Sequence, residues 1–348
     1  MMKLLITSLW ILLIQVVLND AQQVELCNGY QEYCERQYSN ITFLAAHDSP
    51  NVQAGSVAAN QARTVIQQLN DGVRMLTAQL HNQNGVIHLC HTTCLLLDKG
   101  PLLDYLIQIK QWLDQNPRQV ISFLWVNSDN FSPLVIKEVY ATSGLEPLTY
   151  SPKHSGSVMK DEWPTLKEMI DARTRVVSFI DNSADFGLVP YLIDEFSSIW
   201  ETPYDETNSS FPCTINRISK DLKNITPTPK IMYAINHFLD TSIDLIGQEV
   251  LIPNLNSLNL TNSYLSIFNQ TLSCFDLVNE LPNFILLDFY DQGDPIQETF
   301  LKLNQIPFPQ INSNNLSNSN INSNPLKSNS INQSNQIHQF FKYISLVF

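Results

Sequence analysis

The chain has 348 residues, a formal net charge of −13 and 44 % apolar residues. That apolar share can fill a core, and the length suits an α/β barrel, which commonly takes about 250 residues as one domain. The acidic balance argues against nucleic acid as a partner, and against strong electrostatic docking on an anionic membrane.

The N-terminus carries a targeting signal. Lys3 precedes Leu4–Leu18, a run that is apolar apart from Thr7, Ser8 and Gln15, and the small residue Ala21 follows. This pattern predicts a cleaved signal peptide over residues 1–21, and hence a secreted protein, because the run is short for a membrane span. Six cysteines agree with export: Cys27, Cys34, Cys90, Cys94, Cys213 and Cys274. An even count behind a signal peptide implies disulfides. Proximity suggests Cys27–Cys34, Cys90–Cys94 and Cys213–Cys274, although sequence alone leaves other connectivities open. Sequons at Asn40, Asn208, Asn224, Asn259, Asn269, Asn315 and Asn332 predict glycosylation of the exported chain.

The body is predicted over residues 22–308. Short apolar runs recur along it: Ile41–Ala46, Val73–Leu80, Val86–Leu89, Val120–Val126, Val176–Ile180, Ile199–Trp200, Ile231–Ile235 and Phe284–Phe289. Most are apolar on both faces, as strands of a buried parallel sheet are. Asn84-Gly85 is a hairpin turn signal between the second and third runs. Helical periodicity appears over Leu102–Leu113, bounded by Pro101 and Pro117, over Thr165–Ala172 and over Cys274–Leu281. Strands alternating with helices predict an α/β fold, a TIM-type barrel with some irregularity. An open doubly wound sheet is the runner-up, but the chain has no Gly-rich nucleotide turn. Residues 309–348 form an Asn/Ser-rich low-complexity tail whose composition cannot bury a core. Its short apolar end, Phe340–Phe348, raises cell-surface anchoring through a lipid signal, but includes Lys342.

Two histidines stand just beyond early strands. His47-Asp48-Ser49 follows Ile41–Ala46, and His91 follows Val86–Leu89 within Cys90-His91-Thr92-Thr93-Cys94. Residues beyond the C-terminal ends of barrel strands face the active site. Two imidazoles titrating near neutrality can divide the roles of base and acid.

These residues carry a resemblance. The chain is similar to secreted phospholipase-C-like phosphodiesterases, relatives of bacterial phosphatidylinositol-specific phospholipase C. The resemblance covers most of the body. It rests on Ala46-His47-Asp48-Ser49, Asp71-Gly72-Val73-Arg74 and Leu89-Cys90-His91. Trp112-Leu113-Asp114-Gln115-Asn116-Pro117, Trp163-Pro164-Thr165-Leu166, Ile199-Trp200-Glu201-Thr202-Pro203-Tyr204 and Asp288-Phe289-Tyr290 extend it. It implies acid/base cleavage of a phosphodiester, with His47 as general base, His91 as general acid and Asp48 supporting the acid. Asp288 is the candidate to orient His47.

Two positions depart from the family pattern. The bacterial enzyme carries an Asp and a phosphate-contacting Arg on the strand matching Val73–Leu80, where this chain has Thr77 and Gln79. Losing such a charge typically lowers rates by a factor of about 10³. His81 shares that strand face, whereas Arg74 lies on the other. Asp181 stands where the bacterial enzyme has a substrate-binding arginine. Gln79, His81, Asp194 and Asp288 are the candidate substrate-binding residues. Asn127, Asp129, Asp181, Asp185 and Glu201 end or follow strands and could offer oxygen ligands to Ca²⁺ or Mg²⁺. The resemblance is nearer the metal-free branch, so neither a metal site nor a cofactor is predicted.

The leading reading is therefore a monomeric secreted phosphoric diester hydrolase acting on a phospholipid, a lipid anchor or a small phosphodiester, with transient membrane contact. The alternatives are a non-catalytic barrel that binds a lipid or glycan, and a glycosidase using strand-end carboxylates.

Overall fold

The structure, a computed structural model, describes residues 25–154, 156–223, 230–245 and 247–306. The predicted signal peptide and the Asn/Ser-rich tail lie outside these residues.

The strands, in chain order, are β1 (Phe43–Ala46), β2 (Met75–Gln83), β3 (Val86–Cys90), β4 (Asp98–Pro101), β5 (Ile121–Val126), β6 (Val176–Ile180), β7 (Leu192–Asp194), β8 (Ile199–Glu201), β9 (Met232–Asn236), β10 (Asp240–Leu245), β11 (Gln248–Pro253) and β12 (Phe284–Leu287). The helices longer than one turn are α1 (Val65–Asn70), α2 (Leu102–Gln115), α3 (Pro133–Ser143), α4 (Leu166–Asp171), α5 (Tyr264–Val278) and α6 (Ile296–Leu303).

Eight strands pair in the order β7-β6-β5-β2-β1-β12-β9-β8, all parallel. Their uniform apolarity has a simple cause: β1, β6, β9 and β12 are buried along their whole length. The row is an α/β barrel left unpaired between β7 and β8. Buried Glu195 and Glu201, just after β7 and at the end of β8, interact across that seam.

Inside the barrel Tyr38, Phe43, Phe284, Trp163 and Phe179 form one aromatic stack. The Tyr38 hydroxyl is satisfied by Ser122 Oγ at 2.5 Å. α2 buries Leu102, Tyr105, Leu106, Ile109, Trp112 and Leu113, one helical face against the sheet. The Asn84-Gly85 turn joins β2 to β3 antiparallel, with both residues at positive φ (54° and 86°). β2 runs on beyond Gln79, which is level with Val126 at the end of β5, so the hairpin rises above the mouth of the barrel.

Several elements differ from the sequence expectation. The helix expected over Cys274–Leu281 is α5, which begins ten residues earlier; Ser263 caps it by accepting from Ser266 N, and Asn279 (φ 58°) ends it. The last strand ends at Leu287, so Asp288 lies just beyond it rather than within it. The hairpin β10–β11 and helix α3 carry no clear apolar period and were not expected.

Candidate active site

The end of β1 delivers His47. Its backbone N–H donates to Leu287 O on β12 (3.0 Å), and Gln61 Nε2 donates to His47 O (2.7 Å) and Leu287 O (2.9 Å). The next residue, Asp48, has φ 41°, a left-handed conformation unusual for a non-glycine residue. Thr77 holds it there: Asp48 N donates to Thr77 Oγ1 at 2.9 Å, and Ser49 N donates to Thr77 O at 2.9 Å. Such strain persists only where surrounding bonds over-determine it, and it clusters at functional sites.

His47 Nδ1–H donates to Asp288 Oδ1 at 2.9 Å, and Asn60 Nδ2 donates to the same oxygen at 3.0 Å. The His47 ring lies flat on Phe238, centroids 3.9 Å apart and planes 4° from parallel. Burial opposes a charge on this imidazole, but Asp288 and Asp48 outweigh it and push its pKa up to about 9. Its side chain keeps 22 % exposure, open to the mouth.

His91 reaches the same place from β3. The Cys90–Cys94 disulfide closes the loop that contains it. Thr92, at φ 56°, is a β-branched residue in a conformation it rarely adopts. Its N–H donates to Gln79 Oε1 (2.9 Å), while Gln79 Nε2 donates to Asp48 Oδ2 (2.8 Å). Gln79 thus spends both ends of its amide tying the His91 loop to Asp48.

Asp48 Oδ2 stands 3.9 Å from His47 Nε2 and 3.8 Å from His91 Nε2. It lies between the rings and hydrogen-bonds neither, so it does not orient His91 as the resemblance implies. Burial lowers the His91 pKa, and the Asp48 charge offsets this only in part. In the free site, then, the first proton sits on His47, and His91 is neutral at pH 7.

A sequence model of the PI-PLC X family matches residues 33–304. The chain belongs to this family. It is 41 % identical over 288 residues to an uncharacterized secreted protein of Arthroderma benhamiae, covering 81 % of this chain but only 64 % of that relative, less than two thirds of its length. It is 36 % identical over 290 residues to PI-PLC X domain-containing protein 1 of the same organism, covering 82 % of this chain and 91 % of the relative. Among solved structures, phosphatidylinositol-specific phospholipase C from Listeria monocytogenes matches with a TM-score of 0.50 at 15 % identity, over 77 % of this chain and 94 % of that one. The Staphylococcus aureus enzyme, from a structure concerned with its membrane binding, matches with a TM-score of 0.51 at 15 % identity, over 79 % and 95 %. At that identity the likeness shows the barrel fold.

Within this PI-PLC X barrel the other candidate residues divide. His81 lies at the far end of β2, its Nδ1 3.9 Å from Asp129 Oδ1. Asp194 does not face a substrate; its Oδ1 accepts from Ser197 N at 2.8 Å and caps a single helical turn. Arg74 lies at the other end of the barrel, where its two terminal guanidinium nitrogens donate to Leu69 O, Val73 O and Gln119 Oε1. The three disulfides are Cys27–Cys34, Cys90–Cys94 and Cys213–Cys274. The cluster Cys90, Cys94 and Asp98 has metal-ligand spacing among the described residues, but the disulfide occupies both sulfurs.

Some neighbours of the site carry no sequence signal. Asp240, two residues beyond Phe238, is buried, and burial together with Asp288 pushes its carboxyl up to about 7. At the seam, Glu195 is held neutral by burial beside Glu201. Burial opposes charge on Glu201 too, but Arg217 outweighs it; Arg217 Nε donates to Glu201 Oε2 at 2.8 Å. Arg217 also stacks over Tyr204, its guanidinium carbon 4.4 Å from the ring centroid. A cavity of about 220 Å³ beside Tyr150, Lys153, His154 and Glu162 opens at the opposite end of the barrel, near the start of β6.

Proposed function

We propose that the protein is a secreted phosphoric diester hydrolase of the phospholipase C type, acting on a phospholipid or related phosphodiester by paired imidazoles. The observation that carries this reading is the placement of Asp48 Oδ2 within 3.9 Å of His47 Nε2 and 3.8 Å of His91 Nε2, with Asp288 behind His47. Two rings so placed can act on opposite sides of one phosphate. His47 takes the proton of the attacking hydroxyl while a new P–O bond forms. His91 gives a proton to the departing alcohol as the old P–O bond breaks. Asp288 steadies the imidazolium formed on His47, as the carboxylate of a catalytic triad does.

The free site holds its proton on the opposite ring from the one these roles require. The active form is thus a minor protonation state, reached when the dyad's single proton passes to His91. An anionic phosphate between the rings favours that state by stabilising charge on the otherwise desolvated His91. The second Nε2–H of Gln79 can donate to a phosphoryl oxygen but supplies no charge, which fits a slower enzyme than one with a guanidinium there.

The test measures hydrolysis of phosphatidylinositol, phosphatidylcholine and a water-soluble nitrophenyl phosphodiester. Wild type is compared with His47→Ala and His91→Ala. On the two phospholipids each substitution is expected to lower kcat by about 10²–10⁴-fold. Equal rates in all three proteins would remove the mechanism. A folded wild type with no activity on any ester would favour the binding-barrel reading.

A further inference from the structure

One carboxyl beside His47 is left without a protein partner. Asp240 begins β10, two residues beyond Phe238, whose ring lies flat on the His47 ring. It is only 9 % exposed. Its backbone N–H donates to Glu206 O, yet its side chain makes no hydrogen bond and no ion pair among the described residues. The carboxyl lies within electrostatic reach of His47, Asp288, Asp48 and Asp205, so it belongs to the mouth and not to the core. Asp288 repeats the pattern in part: His47 and Asn60 occupy its Oδ1, while its Oδ2 is buried and accepts no hydrogen bond. Buried carboxyls left unpaired cost stability, and such groups concentrate where proteins bind or react.

The charge around Asp240 has one sign. Its charged neighbours come from residues 47–62, 202–216 and 288–295. These segments and its own, 237–263, contain Asp and Glu but no Lys or Arg. Arg217, just beyond the second of them, is held by Glu201. The opposing charge that Asp240 does meet is the one on His47. A general base must be neutral to take a proton, so the reactive form of the site withdraws even that partner.

We propose that the site selects a phosphodiester whose headgroup carries a positively charged nitrogen, and that Asp240 receives it. This rests on the reading of the site as a phosphodiesterase. The bound cation completes an ion pair that the protein leaves half made, in surroundings where such a pair is poorly screened. It also moves the proton of the dyad in the required direction. The Asp240 charge helps to keep that proton on His47. A cation beside Asp240 cancels this charge, so the proton passes more readily to His91. A neutral polyol offers neither effect, and an anionic headgroup opposes both. Choline, ethanolamine and amino-sugar headgroups share the chemistry that Asp240 recognises.

The experiment gives the full chain two pairs of water-soluble nitrophenyl phosphodiesters. One pair is the choline ester and its 3,3-dimethylbutyl isostere, in which carbon replaces nitrogen. The other is the aminoethyl ester and its propyl isostere. Water is the attacker here: its oxygen bonds to phosphorus, its proton goes to His47, and nitrophenolate leaves. Wild type is expected to favour at least one cationic ester over its neutral isostere by about tenfold or more in kcat/KM. In Asp240→Asn that ratio falls toward one. A substitution that only shifted the His47 proton would alter both members of a pair alike and leave the ratio unchanged. Asp185→Asn, which removes a charge from the loop after β6, keeps the wild-type ratio. The pair that shows the preference separates a quaternary from a primary amine, and inhibition by glucosamine but not glucose identifies an amino sugar. Ratios near one in both pairs with equal inhibition by the two sugars would overturn the proposal, as would a wild-type ratio in Asp240→Asn. If no ester is hydrolysed, equilibrium dialysis of choline and ethanolamine decides. Binding by wild type that Asp240→Asn loses would defeat the enzymatic reading alone, and no binding would defeat both.

Discussion

His47 Nδ1 lies 2.9 Å from Asp288 Oδ1, and this contact links the ends of β1 and β12, two neighbouring strands far apart in sequence. The Asp288 charge, together with that of Asp48, lifts the His47 pKa to about 9 against the effect of burial. With His91 held below its ordinary value, the dyad carries one proton over a broad span of pH. The profile of kcat/KM against pH should therefore be bell-shaped, its alkaline limb near 9. The two limbs belong to the pair and look the same whichever ring is the base. Asp288→Asn removes the anion that favours imidazolium, so the alkaline limb must move to lower pH. The same contact stabilises the fold fully below about pH 6.5, the ordinary His value, and that contribution is lost as pH rises through about 9. An alkaline limb unmoved by Asp288→Asn would show that another group sets it.

The assignment of acid and base is decided by the leaving group. A nitrophenolate departs without a proton, whereas an alkoxide does not. If His91 is the acid, His91→Ala loses about 10²–10⁴-fold on an alkyl-leaving phosphodiester and much less on the nitrophenyl ester. His47→Ala loses a similar factor on both. The converse pattern would exchange the two roles and make the free-site proton on His47 the catalytic one.

The barrel was legible because its strands are buried on both faces, which leaves uninterrupted apolar runs such as Val176–Ile180 and Phe284–Leu287. β7 was missed because three residues, Leu192–Asp194, make no pattern. The helix before β12 was misplaced because polar Gln270 and Thr271 stand among the buried positions of Tyr264–Val278 and break its apolar face; Gln270 Oε1 meets His237 Nδ1 at 2.5 Å. His47 and His91 stood out by position at strand ends. The support beneath them did not: Asn60 lies further along the segment after β1, Phe238 and Asp240 follow β9, and only folding brings them to His47. Asp194 was a candidate because it is a carboxylate in the right region, but a capping bond accounts for its side chain.

The Cys90–Cys94 bridge spans only four residues, so removing it frees little chain entropy in the unfolded state, about 2 kcal/mol on the loop-closure model. Its larger effect should be local. Thr92, strained at φ 56° beside His91, stays in place through the bridge and through Gln79. Cys90→Ser with Cys94→Ser should lower kcat about tenfold or more while KM for a soluble ester changes little, because ring placement rather than binding is lost. Thermal unfolding and steady-state kinetics on the double variant check this. A large fall in stability with kcat intact would reverse the interpretation.

At the seam between β7 and β8 the two buried glutamates are not equivalent. Glu195 is neutral, and Glu201 is charged and held by Arg217. Arg217→Ala strands a buried carboxylate and should destabilise the protein by about 3–5 kcal/mol. Glu195→Gln replaces a neutral acid by a neutral amide of the same shape and should cost less than about 1 kcal/mol. Denaturant titrations of the two variants give the comparison. Equal losses would mean that Glu195 carries charge after all.

Asp240 gives the last test, because its charge rather than its shape is what the fold opposes. Its backbone N–H donates to Glu206 O at 2.9 Å, which fixes the start of β10. Its carboxyl sits with Asp288, Asp205 and Asp48 on one side and His47 as the opposing cation. Burial and Asp288 raise its pKa to about 7, whereas an unfolded aspartate titrates near 4. A raised folded value means the contribution to stability is greatest below about pH 4 and declines as pH rises through about 7, where the native carboxyl must ionise. Asp240→Asn removes that ionisation. It should leave stability at pH 4 nearly unchanged and raise it at pH 8 by on the order of 4 kcal/mol. Asp240 also helps hold the proton on His47, so the same variant should bring the alkaline limb of activity to slightly lower pH. An equal gain in stability at both pH values would trace the effect to packing, and the carboxylate cluster around His47 would then be electrostatically silent.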